Sequence, residues 1–129
     1  MKQLLIIEDQ PSDLQIAAKA AESAGFSAVE ARSSVGAARL YLEKCLEGTG
    51  SLPDAIILDL DLGYDSGFEL LRFWHSNPRL SKIPLIVWTV LGDQYQEVCE
   101  MFKVKAYLYK GVGAAPLREL LDELAKTDA

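Results

Sequence analysis

The chain has 129 residues, a net charge of −6 and half of its residues apolar, the make-up of one globular domain able to bury a core. The acidic balance argues against nucleic acid or an anionic membrane as a direct partner. No apolar run approaches the roughly 18 residues that a membrane helix needs.

Leu4-Leu5-Ile6-Ile7 is a continuous apolar run, as expected of a strand covered on both faces, and it ends in Glu8-Asp9. It is too short for a signal peptide, and the expected address is cytoplasmic. Pro11 suits the first turn of a helix, where its missing N–H costs nothing. Leu14, Ala17, Ala18 and Ala21 form the apolar stripe of that helix, and Gly25 is its C-terminal cap. Phe26 to Ala31 reads as a second strand. Ser33 or Ser34 caps a helix carrying Val35, Ala38, Leu42, Cys45 and Leu46. Glu47 to Pro53 is rich in Gly, Ser and Pro and reads as a loop, with too little chain on either side for two domains.

Ala55-Ile56-Ile57-Leu58 is a buried strand that stops abruptly at Asp59. Gly67 opens a helix with Phe68, Leu71 and Trp74 on one side, and Asn77-Pro78 stops it. Leu85 to Thr89 is a fourth strand. Asp93 is placed to cap a helix bearing Val98, Met101 and Phe102. Ala106 to Tyr109 is a fifth strand, followed by Lys110 and a loop containing Gly111 and Gly113. Pro116 opens a last helix whose Leu117, Leu120, Leu121 and Leu124 face inward, and Ala129 follows directly, as in a stand-alone unit or a fragment of a longer protein. Cys45 and Cys99 have no metal-ligand spacing and are expected as buried thiols.

Strand and helix alternate five times. That pattern predicts a single α/β domain over residues 1–129: a five-stranded parallel sheet with right-handed crossovers and helices on both faces. The flavodoxin-like (βα)5 order 2-1-3-4-5 is the leading candidate. In such a sheet the carboxyl ends of the strands share one edge, where ligands bind. Glu8-Asp9, Asp59, Thr89 and Lys110 each follow or end a strand, so they are expected to converge there.

Acids gathered at one edge repel by roughly 4 kcal/mol per pair at 4 Å and an effective dielectric of 20. Either some stay protonated or a cation sits among them. Oxygen-only ligands select a hard ion, Mg²⁺ before Zn²⁺. Lys110 adds a compact charge suited to phosphate, and Thr89 adds a hydroxyl donor. A carboxylate beside Mg²⁺, a lysine and a hydroxyl is a device for receiving a phosphoryl group.

The chain resembles the receiver domains of two-component response regulators over essentially its whole length. The likeness rests on Glu8-Asp9, on ILDLDLGYDSG around Asp59, on Thr89, and on Tyr107-Leu108-Tyr109-Lys110. It implies that Asp59 accepts phosphate from a histidine kinase or phosphotransfer protein. It implies that Asp9 binds Mg²⁺ directly and Glu8 through water, with the backbone carbonyl of Asp61 as a further ligand. Thr89 and Tyr107 would form a switch pair, and Lys110 would bind the phosphoryl group. An output partner, or a second copy, would read the face of the fourth helix, fifth strand and last helix.

Four positions depart from the family pattern. Gly63 stands where proline is usual and is expected to loosen the loop after Asp59. Val90 replaces a small residue and is expected to crowd the phosphoryl position, and Asp61 adds an acid beside the metal site. Gly111 replaces the proline that follows the lysine, so the loop after Lys110 is expected to be trans or mobile.

Other readings compete. A degenerate receiver would serve as a protein-interaction module without turning over phosphate. Asp59-Leu60-Asp61 is similar to the nucleophile motif of haloacid-dehalogenase-type phosphatases, although that motif normally lies near the N-terminus. A small flavin carrier shares the fold, but Glu8-Asp9 would repel its phosphate. His75, the one histidine, is read as a helix-end surface residue, and Trp74 and Trp88 as core.

Overall fold

The computed structural model describes residues 2–48 and 51–126. Thr49 and Gly50 of the predicted loop, and Ala129, lie outside the described residues.

The first strand, β1 (Gln3–Ile7), leads into helix α1 (Pro11–Ala24), and the pattern continues with β2 (Ala28–Arg32) and α2 (Val35–Glu47). Then come β3 (Ala55–Leu58), α3 (Gly67–Ser76), β4 (Leu85–Thr89), α4 (Gln96–Met101), β5 (Ala106–Tyr109) and α5 (Ala115–Lys126). All neighbours pair in parallel, in the order β2-β1-β3-β4-β5. This is the flavodoxin-like 2-1-3-4-5 arrangement expected from the alternation of elements.

Every residue of β3 and β4 is buried, which explains their unbroken apolar runs. Side chains alternate between faces. Leu5, Ile7, Ile56, Leu58, Leu85 and Val87 pack with Ala38, Leu42, Leu71 and Trp74 of α2 and α3. Leu4, Ile6, Ile57, Ile86 and Trp88 pack with Ala17 and Ala21 of α1 and Leu117 and Leu121 of α5. Both tryptophans are core, as read, and the Trp74 indole N–H donates to the Ile83 carbonyl at 3.1 Å.

Local chemistry sets most boundaries. Ser34 is the cap of α2, its hydroxyl accepting from the Ala37 N–H at 3.1 Å. Gly25 closes α1 in the left-handed region at φ 111°. Asn77 ends α3, and its side-chain carbonyl accepts from the N–H groups of Arg79 and Leu80.

The fourth helix differs from its prediction. Asp93 caps nothing; it starts a 3₁₀ turn, Asp93–Tyr95, and α4 then runs for only six residues. Its buried side chain is Cys99, whereas Val98 and Met101 are 41% and 75% exposed and Phe102 lies beyond the helix end. An element of under two turns has room for one inward position, so the apolar stripe could not hold. Cys45 is half-buried rather than buried, while burial pushes the Cys99 thiol up to about 11. His75 lies exposed at the end of α3 with its ring against Phe102 and Nδ1 3.1 Å from the Phe102 carbonyl. No helix among the described residues is long and apolar enough to cross a membrane.

Candidate functional site

The ladder between β1 and β3 sets Ile7 opposite Leu58. It continues one step further, because the Asp59 N–H donates to the Ile7 carbonyl at 3.0 Å. The next residues, Glu8 and Asp59, therefore leave two adjacent strand ends together. Both follow the parity that points toward the α1 and α5 side of the sheet, as Leu4, Ile6 and Ile57 do. Lys110 leaves the end of β5 and reaches back across β4, its ammonium 4.9 Å from the centre of the Trp88 ring.

The Lys110 Nζ lies 2.7 Å from Glu8 Oε1, 2.8 Å from Asp59 Oδ2 and 2.8 Å from Asp13 Oδ2. Glu8 and Asp59 are each only 3% exposed. The other Glu8 oxygen accepts from the Gln10 N–H at 3.1 Å, and the other Asp59 oxygen from the Asp61 N–H at 3.0 Å. Sequence reading found Glu8, Asp59 and Lys110 because each ends an apolar run. Asp13 it missed: an acid in the first turn of a helix ordinarily complements the helix dipole, and nothing local shows that it faces the lysine.

Asp9 completes the cup. One oxygen each from Glu8, Asp9 and Asp59 lie within 4.8 Å of one another, close enough to share a cation. Asp9 Oδ1 is buried and has no hydrogen-bond partner. An orphaned carboxylate oxygen is costly unless something fills its place, and an all-oxygen donor set fits a hard divalent ion. The cleft above it, about 320 Å³, is lined by Asp9, Asp13, Asp59, Asp61, Val90 and Lys110 among others. Asp61 and Val90 are exposed at this cleft.

Charge is unbalanced here, with five acids, Glu8, Asp9, Asp13, Asp59 and Asp61, around one lysine. Burial pushes the Glu8 carboxyl up to about 7; the Asp59 charge adds to the rise, while the Lys110 and Gln10 hydrogen bonds oppose it. Burial also acts to lower the Lys110 ammonium, but hydrogen bonds to Asp13, Asp59 and Glu8 outweigh it and hold the group above its ordinary value.

Thr89 and Tyr107 lie on the opposite side of the sheet. Thr89 is fully buried and has the parity of Leu85 and Val87, and Tyr107 pairs in register with Val87. The Thr89 hydroxyl accepts from the Leu91 N–H at 3.2 Å. The Tyr107 hydroxyl donates to the carbonyls of Gly92 at 2.7 Å and Leu91 at 3.3 Å. Both side chains therefore grip the same connection between β4 and α4. Burial pushes the Tyr107 hydroxyl up to about 12, so it stays a donor.

Of the two glycine departures, Gly63 resolves differently from expectation. Gly63 does not leave an irregular loop. It sits at φ 70° in the turn of a two-stranded antiparallel ribbon, Asp61–Leu62 with Asp65–Ser66. A side chain there would come within 3.3 Å of Asp9 Oδ2. The ribbon is tied down where Asp65 Oδ2 accepts from the Val35 N–H at 3.0 Å. The Lys110–Gly111 bond is trans, as expected without proline. The Tyr109 ring occupies the space that a β-carbon at 111 would need.

The response regulator receiver domain family matches residues 4–122. The chain belongs to that family. It is a receiver domain of two-component signalling, a phosphoacceptor signalling module rather than a conventional enzyme, which sets aside the phosphatase reading. The receiver is 29% identical over 97 residues to the phosphate regulon transcriptional regulatory protein PhoB of Pseudomonas aeruginosa, and it spans only 39% of that protein's length. Among solved structures it is similar to the bacteriophytochrome response regulator RtBRR, at 26% identity and a TM-score of 0.80, covering 100% of this chain and 81% of that one. It is also similar to the phosphorylated cyanobacterial phytochrome response regulator RcpA, at 25% identity and a TM-score of 0.77, covering 95% and 90% respectively.

Proposed function

We propose that this receiver, a single domain over residues 1–129, accepts a phosphoryl group on Asp59 from a phosphohistidine of a histidine kinase or phosphotransfer protein in the cytoplasm. In response it would change the face it offers to a partner. The observation that carries this reading is the buried Asp59 carboxylate held 2.8 Å from Lys110, next to the orphaned Asp9 oxygen. A relative at 25% identity is itself a phosphorylated response regulator.

In the transfer, an Asp59 carboxylate oxygen attacks phosphorus as the bond from phosphorus to the imidazole nitrogen breaks. With the other ring nitrogen of the phosphohistidine protonated, the bond pair stays on the leaving nitrogen and the products are an acyl phosphate and a neutral imidazole. Lys110 neutralises charge gathering on the phosphoryl oxygens, and the Thr89 hydroxyl donates to one of them. Asp9 directly, Glu8 through water, Asp59 and the backbone carbonyl of Asp61 would hold Mg²⁺, which when bound offsets the charge of acid and phosphoryl group alike.

The Thr89 hydroxyl accepts from the Leu91 N–H, so its own O–H is available to donate to the phosphoryl group. A phosphoryl group would thereby pull on the β4–α4 connection that Thr89 and Tyr107 both hold, which supports a two-state rearrangement of that segment. The adjoining face of α4, β5 and α5 carries the exposed side chains of Val98, Met101 and Tyr109, suited to an output partner or a second copy of the chain.

The test is incubation with acetyl phosphate and Mg²⁺ followed by intact mass. One phosphoryl group should be gained by the wild type and none by Asp59→Asn. A wild type that gains nothing would favour the second reading, a phosphorylation-independent interaction module. Val90, 53% exposed on the cleft, is the observation that keeps that reading in play.

A further inference from the structure

We infer that Asp13 is a positioning residue that competes with the incoming phosphoryl group for Lys110, and so sets how readily Asp59 is phosphorylated. The inference rests on the phosphoacceptor reading of Asp59.

A lysine ammonium has three N–H donors and no more. Three carboxylate oxygens take them here, from Glu8 at 2.7 Å and from Asp13 and Asp59 at 2.8 Å each. A phosphoryl oxygen arriving at Asp59 can therefore receive a hydrogen bond from Lys110 only by displacing one of these acceptors. The three are not equally easy to displace. Glu8 and Asp59 have side chains 2% and 3% exposed, and each is held at its second oxygen by a backbone N–H. The Asp13 side chain is 26% exposed, and among the described residues it makes no other hydrogen bond. Turned outward from the first turn of α1, its carboxylate meets water at the cleft it already lines. Asp13 is thus the acceptor that Lys110 can exchange.

The exchange carries a cost that a neutral residue would not impose. An anionic carboxylate bound to the ammonium must be replaced by an anionic phosphoryl group at the same point, and the two repel while both are near. If Asp13 served only to complement the helix dipole, its removal would lower stability and leave phosphodonor kinetics alone.

The test compares wild type with Asp13→Asn, which keeps shape and an acceptor but removes the charge, and with Asp13→Glu, which restores it. Two quantities are measured with Mg²⁺ present: the second-order rate of phosphorylation by acetyl phosphate, and the affinity for beryllofluoride, read from tryptophan fluorescence in a Trp74→Phe background that leaves Trp88, beneath Lys110, as the one tryptophan. Asp13→Asn should react faster and bind beryllofluoride more tightly by roughly fivefold each, the scale of a partly exposed ion pair. The gap should narrow as salt is raised, and Asp13→Glu should return both values toward wild type. Equal or lower values in Asp13→Asn, with the wild type phosphorylated normally, would overturn the role of Asp13 and leave that of Asp59 standing. A wild type that takes up no phosphate would overturn both.

Discussion

Glu8 is a buried acid whose charged form burial disfavours. Its carboxyl is raised to about 7 in the folded protein by burial, against a usual value of 4.5. Between those two values the native state keeps a proton that the unfolded chain has released. Stability must therefore fall as pH rises through that window, by up to a magnitude on the order of 3 kcal/mol. Urea midpoints measured in EDTA should be higher at pH 5 than at pH 7.5, and Glu8→Gln should flatten the difference. A midpoint that rises with pH in the wild type, and equally in Glu8→Gln, would assign the effect elsewhere. Val90 offers a second test at this scale. Its branched side chain is exposed on the cleft wall, and Val90→Ala should speed phosphorylation by acetyl phosphate. Equal rates would remove Val90 as the obstacle. Glu8, Asp9, Asp59 and Lys110 were legible in the sequence because polar groups that terminate apolar runs share one sheet edge. Asp13 was not, since the reason for it lies 97 residues away at Lys110.

Gly67 ties an element to the site. Its N–H donates to the Leu60 carbonyl at 2.9 Å, and a β-carbon there would sit 2.6 Å from the Asp59 carbonyl and 2.7 Å from the Leu60 Cα. Both neighbours are backbone, so neither can swing aside. Gly67→Ala should lower stability by about 1–3 kcal/mol and slow Asp59 phosphorylation, because the strain falls on the residue's own main chain. Unchanged urea midpoints and rates would show that the start of α3 yields freely. Sequence placed Gly67 at the start of a helix but could not see why glycine was needed, because the close approach is tertiary. The same limit explains α4. Its predicted stripe assumed a helix long enough to repeat, and the chain instead spends Asp93–Tyr95 on a 3₁₀ turn. Strands fared better, since burial on both faces leaves an unbroken apolar signature that needs no knowledge of neighbours.

Across the whole molecule, the sheet separates two kinds of work. On the side of α1 and α5, Glu8, Asp59 and Lys110 meet above Trp88. On the other, Thr89 and Tyr107 hold the β4–α4 connection by its backbone. β4 carries residues for both sides in consecutive positions, Trp88 and Thr89, which on the proposed reading links chemistry at the strand edge to an exposed face. Titrating the protein with Mg²⁺ while recording tryptophan fluorescence, with and without acetyl phosphate and in wild type and Asp59→Asn, tests this most directly. The wild type should show a saturable response to Mg²⁺ and a second change once phosphodonor is added, with the second change absent from Asp59→Asn. No response to Mg²⁺ in the wild type, or an identical phosphodonor response in the variant, would contradict the assignment of Asp59 and the acids around it.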